Sequence, residues 1–370
     1  MAVTRIDPSD RRSLKRFVAL DRALWGHEPL HVSDLDADLA KRLRGKSAFN
    51  QETDHALFVL ADDAGRLIGR AVGYVNQRWQ RQRGDNAGFV GNLSLAPGVR
   101  TEDAASLFGA VEAWIGKQGA TRAICGIDGS AVVGAGVLVT DNDVDPVFPD
   151  RWNPPSYAGL IEAAGYVVER QFWKYRVSFD TDQYRTTSKR SLDDARCRIR
   201  PVNRRRWKTE IALLARLFNE AFSNEWELNE LTEDEFLESS GQIKPILDPN
   251  TWLIAEVDNE PAGFCLGVPD LTPLLRSFHG RTNPIKIVRL YREAKNVDRH
   301  GLRVVGVREA FRGRHIGQTL ACTLYRYYEQ RGLASASYSY VDDANLASRG
   351  LAESLGGEGQ IYLHCYGKRL

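Results

Sequence analysis

Residues 302–333 read LRVVGVREAFRGRHIGQTLACTLYRYYEQRGL, and here residue type and spacing together point to chemistry. An apolar strand, LRVVGV, runs into a turn made of Arg312, Gly313, Arg314, His315, Ile316 and Gly317, and an amphipathic helix follows without a break. Glycines let a backbone turn tightly and come close to a ligand, while the first amides of a helix point outward with the positive end of its dipole behind them. That combination suits an anion, a pyrophosphate above all, and Arg312 and Arg314 add fixed charge beside it. An ordinary strand-to-helix turn shaped by two glycines has the same spelling, so the surroundings have to decide.

Two common nucleotide sites do not fit. The turn lacks GxxxxGK[ST], which disfavours a nucleoside triphosphate, and it lacks GxGxxG followed by a ribose-binding acid, which disfavours a dinucleotide.

The elements that must position this turn occur twice. Residues 57–75, LFVLADDAGRLIGRAVGYV, and 252–268, WLIAEVDNEPAGFCLGV, both read as strand, polar turn, strand. A strand-like run and an apolar helix follow in each case, with Ala104, Leu107, Phe108, Val111, Trp114 and Ile115 in the first copy and Ile316, Leu320, Leu324 and Tyr327 in the second. Each copy closes with a helical stretch, a glycine and an aromatic-rich strand, at 160–177 and 350–370. Residues 179–200 carry almost no large apolar side chains and read as a connection. The reading is an α+β chain with mixed sheets, duplicated, with domains at 1–180 and 199–370 and a linker at 181–198.

A length of 370 residues, 43 % hydrophobic and 26 % charged, fits two globular cores and excludes disorder. Fifty basic side chains against 48 acidic ones leave +2, too little for a global field that would hold nucleic acid or an anionic membrane. Arg204, Arg205, Arg206 and Lys208 form only a small basic cluster. Five scattered cysteines show no metal spacing and no disulfide framework, which suits a reducing cytoplasm. No apolar run reaches the roughly 18 residues of a membrane span, and the first residues lack the apolar stretch of a secretion signal.

Val307 to Gly317, VREAFRGRHIG, resembles motif A of the GNAT superfamily of acyl-CoA-dependent N-acyltransferases, [Q/R]xxGx[G/A], with His315 in place of the middle glycine. Asn345 followed by LASRGLAESLGG is similar to motif B of that family. The resemblance covers the second half from about residue 199, and the first half resembles the N-terminal domain of a tandem GNAT-like group. Its turn, Ala96 to Thr101, has no RxxGxG, so that copy reads as degenerate. The resemblance implies acetyl-CoA or another acyl-CoA held by Val305, Gly306, Val307, Arg312, Gly313, Arg314, His315, Ile316, Gly317, Gln318 and Asn345. It also implies transfer of the acyl group to an amine of a small molecule. A non-catalytic binding protein and an aminoacyl-tRNA-dependent transferase are the alternatives.

Catalytic residues are less plainly written. The tyrosine that many members carry seven residues after the motif B asparagine is replaced by Ala352. Phenols remain at Tyr338, Tyr340, Tyr362 and Tyr366, of which Tyr340 is the expected acid. A base must take the ammonium proton; His300, just before strand 302–307, is the expected group, with Glu256 a weaker one. The acidic run from Glu220 to Glu238 lies where acceptor sites of the family begin and would suit a cationic substrate, or simply face solvent. A membrane and nucleic acid are not expected as partners, and a homodimer is left open.

Overall fold

Apolar runs of strand length close as hairpins in both halves of the chain. The structure, a computed structural model, describes residues 1–370 apart from 141, 145, 148, 149 and 227, and for residue 242 the backbone alone. The first half runs β1 (Ala2–Ile6), α1 (Arg11–Trp25), α2 (Asp36–Leu43), β2 (Thr53–Ala61), β3 (Leu67–Asn76), α3 (Gln77–Arg83), β4 (Ala87–Leu95), α4 (Thr101–Lys117), β5 (Arg122–Cys125), β6 (Val137–Leu138), α5 (Ser156–Ala163) and β7 (Val167–Ser178). After α6 (Asp182–Asp193) the second half runs β8 (Arg198–Pro201), α7 (Trp207–Ala221), α8 (Glu233–Ile243), β9 (Trp252–Val257), β10 (Glu260–Pro269), α9 (Thr272–Phe278) and α10 (Pro284–Glu293). It ends with β11 (His300–Val307), α11 (Ile316–Gln330), β12 (Ser335–Asp342), α12 (Leu346–Ser354) and β13 (Glu358–Arg369).

Local chemistry sets the ends of these elements. Asp258 and Asn259, at φ 52° and 65°, form the two-residue turn of the β9–β10 hairpin, a conformation that Asp and Asn tolerate better than most residues. In α4 the buried face is Ala104, Leu107, Phe108, Val111 and Ile115, as the spacing predicts. In α11 it is Ile316, Leu320, Leu324 and Tyr328; Tyr327 packs half-buried at the edge of that core and donates its hydroxyl to Asp248. Each helix covers one face of its half of the sheet and closes a core of its own.

The strands form one continuous mixed sheet, ordered β1-β2-β3-β4-β5-β13-β7-β12-β11-β10-β9-β8, with β6 beside β13. The order is palindromic about the antiparallel β13–β7 pair. Thus β13 of the second half extends the first half beside β5, and β7 of the first half extends the second beside β12.

Most of the expected linker is helix. The Thr181 hydroxyl accepts from the Tyr184 amide at 3.2 Å and starts α6, whose Tyr184, Ser188 and Ser191 are buried. Small polar residues on its inner face hid a packed helix in a segment that composition read as a connection.

Candidate functional site

Two cavities meet at a gap between neighbouring strands. Parallel strands β11 and β12 pair at Gly301 with Ser337 and at Leu302 with Tyr338, and then diverge. Along Arg303 to Val307, the edge of β11 facing the gap carries backbone groups that β12 does not meet.

On one side of the gap lies an open cleft of about 1640 Å³. Val305 to Val307, Arg312 to Gln318 and Asn345, the whole set expected to hold acyl-CoA, line it. Gly313 has φ 76° and His315 φ 57°, so the chain turns left-handed twice before α11 begins at Ile316. The first turn of α11 contains no acid and no side-chain cap, which leaves its leading amides facing the cleft. A β-carbon on Gly317 would stand 3.6 Å from Val307 and 3.8 Å from Val305, ordinary contact distances, so internal packing does not require glycine there. A small residue at a helix start, facing a cleft, leaves room for a ligand against the backbone. His315 lines the same cleft and is exposed. Arg312 is tied to the end of α7 through the Ala221 carbonyl at 2.9 Å, and Arg314 lies 5.4 Å from the Phe311 ring centroid.

Across the gap is a cavity of about 500 Å³, walled largely by apolar side chains that include Phe49, Phe218, Phe222, Phe236, Trp252 and Val304. Its wall also takes Lys41, Arg42 and Ser130 from the first half, so both halves build it. Phe222, Glu225, Val305, Asp342, Asn345 and Ser348 line both cavities and mark where they join. At this junction Asn345 caps α12, its Oδ1 accepting from the Ser348 amide at 3.0 Å, while its Nδ2 donates to Glu225 Oε1 at 3.2 Å. Burial, reinforced by the charge of Asp342, pushes the Glu225 carboxyl above the ordinary glutamate range. Tyr338 donates to Ser348 at 3.1 Å, and burial pushes its phenol up to about 12.

The other expected groups lie elsewhere or do other work. His300 lines neither cavity. It is buried with its ring centroid 4.9 Å from that of Tyr328, and burial, with Arg331 adding, pushes its pKa down to about 4. Glu256 lines neither cavity and pairs with Arg200 at 2.7 Å. Tyr340 does line the apolar cavity, at φ 64° on a β12 irregularity, but its ring stacks on Phe172 at 4.5 Å under the Arg303 guanidinium. Tyr366 is in the core of the first half, and Ala352 is fully buried in that of the second.

The acidic run does not face solvent as a whole: Glu225, Glu235 and Glu238 line the apolar cavity, and most of its carboxylates near the first half are already paired. Glu220 pairs with Arg308, Glu235 with Arg78 at 2.6 Å, and Glu238 with Lys41 at 2.5 Å. Arg83 also reaches the carbonyls of Ser223, Glu225 and Leu228, so α3 and α2 clamp this segment to the first half. Glu227 lies outside the described residues. Glu225 is the residue that sequence reasoning failed to single out. Its neighbours look alike in the sequence, and only the long-range clamp puts this one at the junction.

The equivalent places in the first half are filled. There α4 starts with Glu102 and Asp103, and Asp103 pairs with Arg100 at 2.6 Å, so the helix N-terminus already has its anion. The gap beyond the β4–β5 pairing is plugged by Asp128, which accepts from the Asn92 amide at 2.6 Å and from Asn92 Nδ2 at 3.0 Å. Burial opposes that charge, but Arg151, Arg42 and the Asn92 amide outweigh it and hold Asp128 below the ordinary carboxylate range. A β-carbon on Gly91 would sit 2.5 Å from Asp128 Oδ1, so this plug needs glycine beside it.

Comparison with known proteins agrees with this architecture. Residues 211–356 match the family model for the acetyltransferase (GNAT) family. The chain is 25 % identical over 374 residues to protein YghO of Escherichia coli, covering 98 % of this chain and 94 % of the relative. It is 26 % identical over 373 residues to a bacterial ceramide synthase of Caulobacter vibrioides, covering 96 % and 95 %. Among solved structures, a tandem GNAT protein from the clavulanic acid biosynthesis pathway aligns with TM-score 0.58 at 12 % identity, covering 100 % and 98 % of the two chains. A GCN5-related N-acetyltransferase from Sphaerobacter thermophilus aligns with TM-score 0.52 at 17 % identity, covering 100 % and 95 %. Residues 211–356 thus match the GNAT acetyltransferase family, and the chain over its whole length has the fold of tandem GNAT proteins.

Proposed function

We propose that the chain moves an acyl group from acyl-CoA to the amine of an amphipathic, long-chain molecule, through the second half alone. The observation that carries this reading is the junction, where an anion-suited turn on one side and an apolar cavity on the other open onto the same strand gap. The leading amides of α11, with Arg314 beside them, fit a diphosphate. The apolar cavity fits a hydrocarbon chain better than a polyamine or a sugar. The name of the Caulobacter relative supports a lipid acceptor, ceramide being the amide of a fatty acid with a long-chain amino alcohol.

Acyl-CoA supplies a reactive thioester. The residues of the chain then have three tasks. Glu225 takes the proton of the acceptor ammonium, which otherwise has no free electron pair at neutral pH; its raised pKa makes it a stronger base than an exposed glutamate. Backbone amides of β11 along the gap receive the charge that grows on the carbonyl oxygen. As the C–N bond forms and the C–S bond breaks, the Ser348–Tyr338 hydroxyl pair gives a proton to the sulfur and regains one from the nitrogen of the collapsing tetrahedral adduct, which leaves as the neutral amide. The first half holds no donor in this scheme and shapes the acceptor wall.

The deciding experiment measures calorimetric binding of acetyl-CoA and a long-chain acyl-CoA, and thiol release with a long-chain amine in detergent. Binding with thiol release that depends on the amine supports transfer. Binding without release for any amine leaves a non-catalytic acyl-CoA-binding protein, and no binding sinks both readings.

A further inference from the structure

Helix α10 buries none of its residues, although it is rich in large apolar side chains. Ile285 is 79 % exposed and Val288 56 %, followed by Tyr291 at 39 % and Ile287 at 38 %. At 100° per residue these four fall with Pro284 on one broad face, and that face is turned to solvent. The inward side is held by Leu290, which packs on Ile246, Leu271, Leu274 and Ala294. In water a helix turned this way costs free energy, because the usual arrangement buries the apolar stripe.

Charge surrounds that face. Residues 276–299 hold seven basic side chains and two acidic ones, in a chain whose total is only +2. Arg289 is paired with Glu293 at 2.8 Å, and Lys286 donates to the Phe278 carbonyl at 2.7 Å. Arg281, Arg292 and Lys295 are exposed and make no side-chain hydrogen bond or ion pair among the described residues. An apolar centre rimmed by cations is the surface pattern of a helix lying in a lipid interface. A second copy of the same patch would bring like charges together. No described helix is long and apolar enough to cross a membrane, so any association is with its surface.

We infer that α10 docks the protein on an anionic phospholipid surface, with Ile285 and Val288 entering the interface and Arg281, Arg292 and Lys295 meeting phosphates. Net charge and the lack of a span argued against membranes in the sequence, because both average over the chain what the structure concentrates on one helix. The cluster beneath α10 includes Ile243, which also lines the apolar cavity, so the docked face lies one layer of side chains from the acceptor wall. The inference stands on the helix itself and does not require acyl transfer.

Flotation with vesicles of phosphatidylcholine containing about one third phosphatidylglycerol, against vesicles of phosphatidylcholine alone, tests it. The intact protein is expected to partition at least about tenfold better onto the anionic vesicles and to leave them at high salt. The double variants Ile285→Asp with Val288→Asp, and Arg292→Glu with Lys295→Glu, should each lose about tenfold or more while keeping their circular dichroism spectrum and their affinity for acyl-CoA. Equal partition of intact protein and both variants, or no partition at all, overturns the inference. A dimer in solution that Ile285→Asp with Val288→Asp dissociates, with vesicle binding unchanged, overturns it in favour of a contact between copies.

Discussion

The two halves place the same elements around a strand gap and a helix start, yet only one leaves these places open. In the first half Asp103 sits at the start of α4 and Asp128 fills the gap beside Asn92. In the second half the start of α11 has no acid and the β11–β12 gap leads into two cavities. A fold of this kind is therefore stable with its binding places plugged by its own carboxylates, and the open copy owes its availability to what it leaves out. Ligand binding and internal satisfaction of polar groups compete for the same backbone amides.

That contrast can be broken at the junction first. Glu225→Gln is expected to lower kcat/KM by about 10²–10³, with acyl-CoA affinity unchanged, in a titration compared with steady-state rates. The acyl transfer proposed for the intact protein should fall as pH falls, with an inflection above the ordinary glutamate range, and the variant should lack that limb. The sign for stability is opposite. A carboxyl whose folded pKa is raised costs stability above that pKa and no longer costs it below the unfolded value, so at neutral pH Glu225→Gln should melt no lower than the parent.

Gln318→Asp gives α11 the acid that α4 carries at its third position. We expect acyl-CoA affinity to fall by about 30-fold in calorimetry, roughly 2 kcal/mol, without loss of helix. An unchanged affinity would show that the diphosphate does not sit at this helix start.

Unplugging the closed copy should affect stability and leave the reaction alone. Asp128→Asn takes one of its two carboxylate partners from half-buried Arg151, Asp34 remaining at 3.0 Å, and should cost about 1 kcal/mol in denaturant unfolding with kcat kept within about twofold. A variant that instead gained acyl-CoA binding in the first half would erase the contrast.

The smallest effect at neutral pH is expected for His300→Phe, with kcat within about twofold of the parent. A histidine whose folded pKa is depressed contributes stability above about 6.5, which is lost progressively as pH falls toward about 4. The variant should therefore show a shallower decline in melting temperature between pH 6.5 and 4. A large loss of kcat would restore His300 as the base.

How much of this was legible in the sequence depends on distance along the chain. Arg312 to Gln318 form one contiguous turn, and local rules for glycines and helix starts sufficed to place them on a cleft. The duplicated hairpins were readable for the same reason. Glu225 was not, because its position depends on Arg83 reaching across from α3. His300 was misjudged because proximity in sequence to strand 302–307 says nothing about which side of the strand end faces the cleft. The exchange of β7 and β13 was invisible because strand neighbours are chosen by pairing between residues nearly two hundred positions apart.

That exchange orders events during synthesis. The ribosome completes residues 1–178 long before residues 358–369 emerge, so β5 keeps an unpaired edge while the second half is still being made. Until then the amino-terminal part is a sheet awaiting its neighbour, exposed to mispairing and to holding factors. Protection of its amides from exchange should therefore appear late, together with that of the carboxyl-terminal strand.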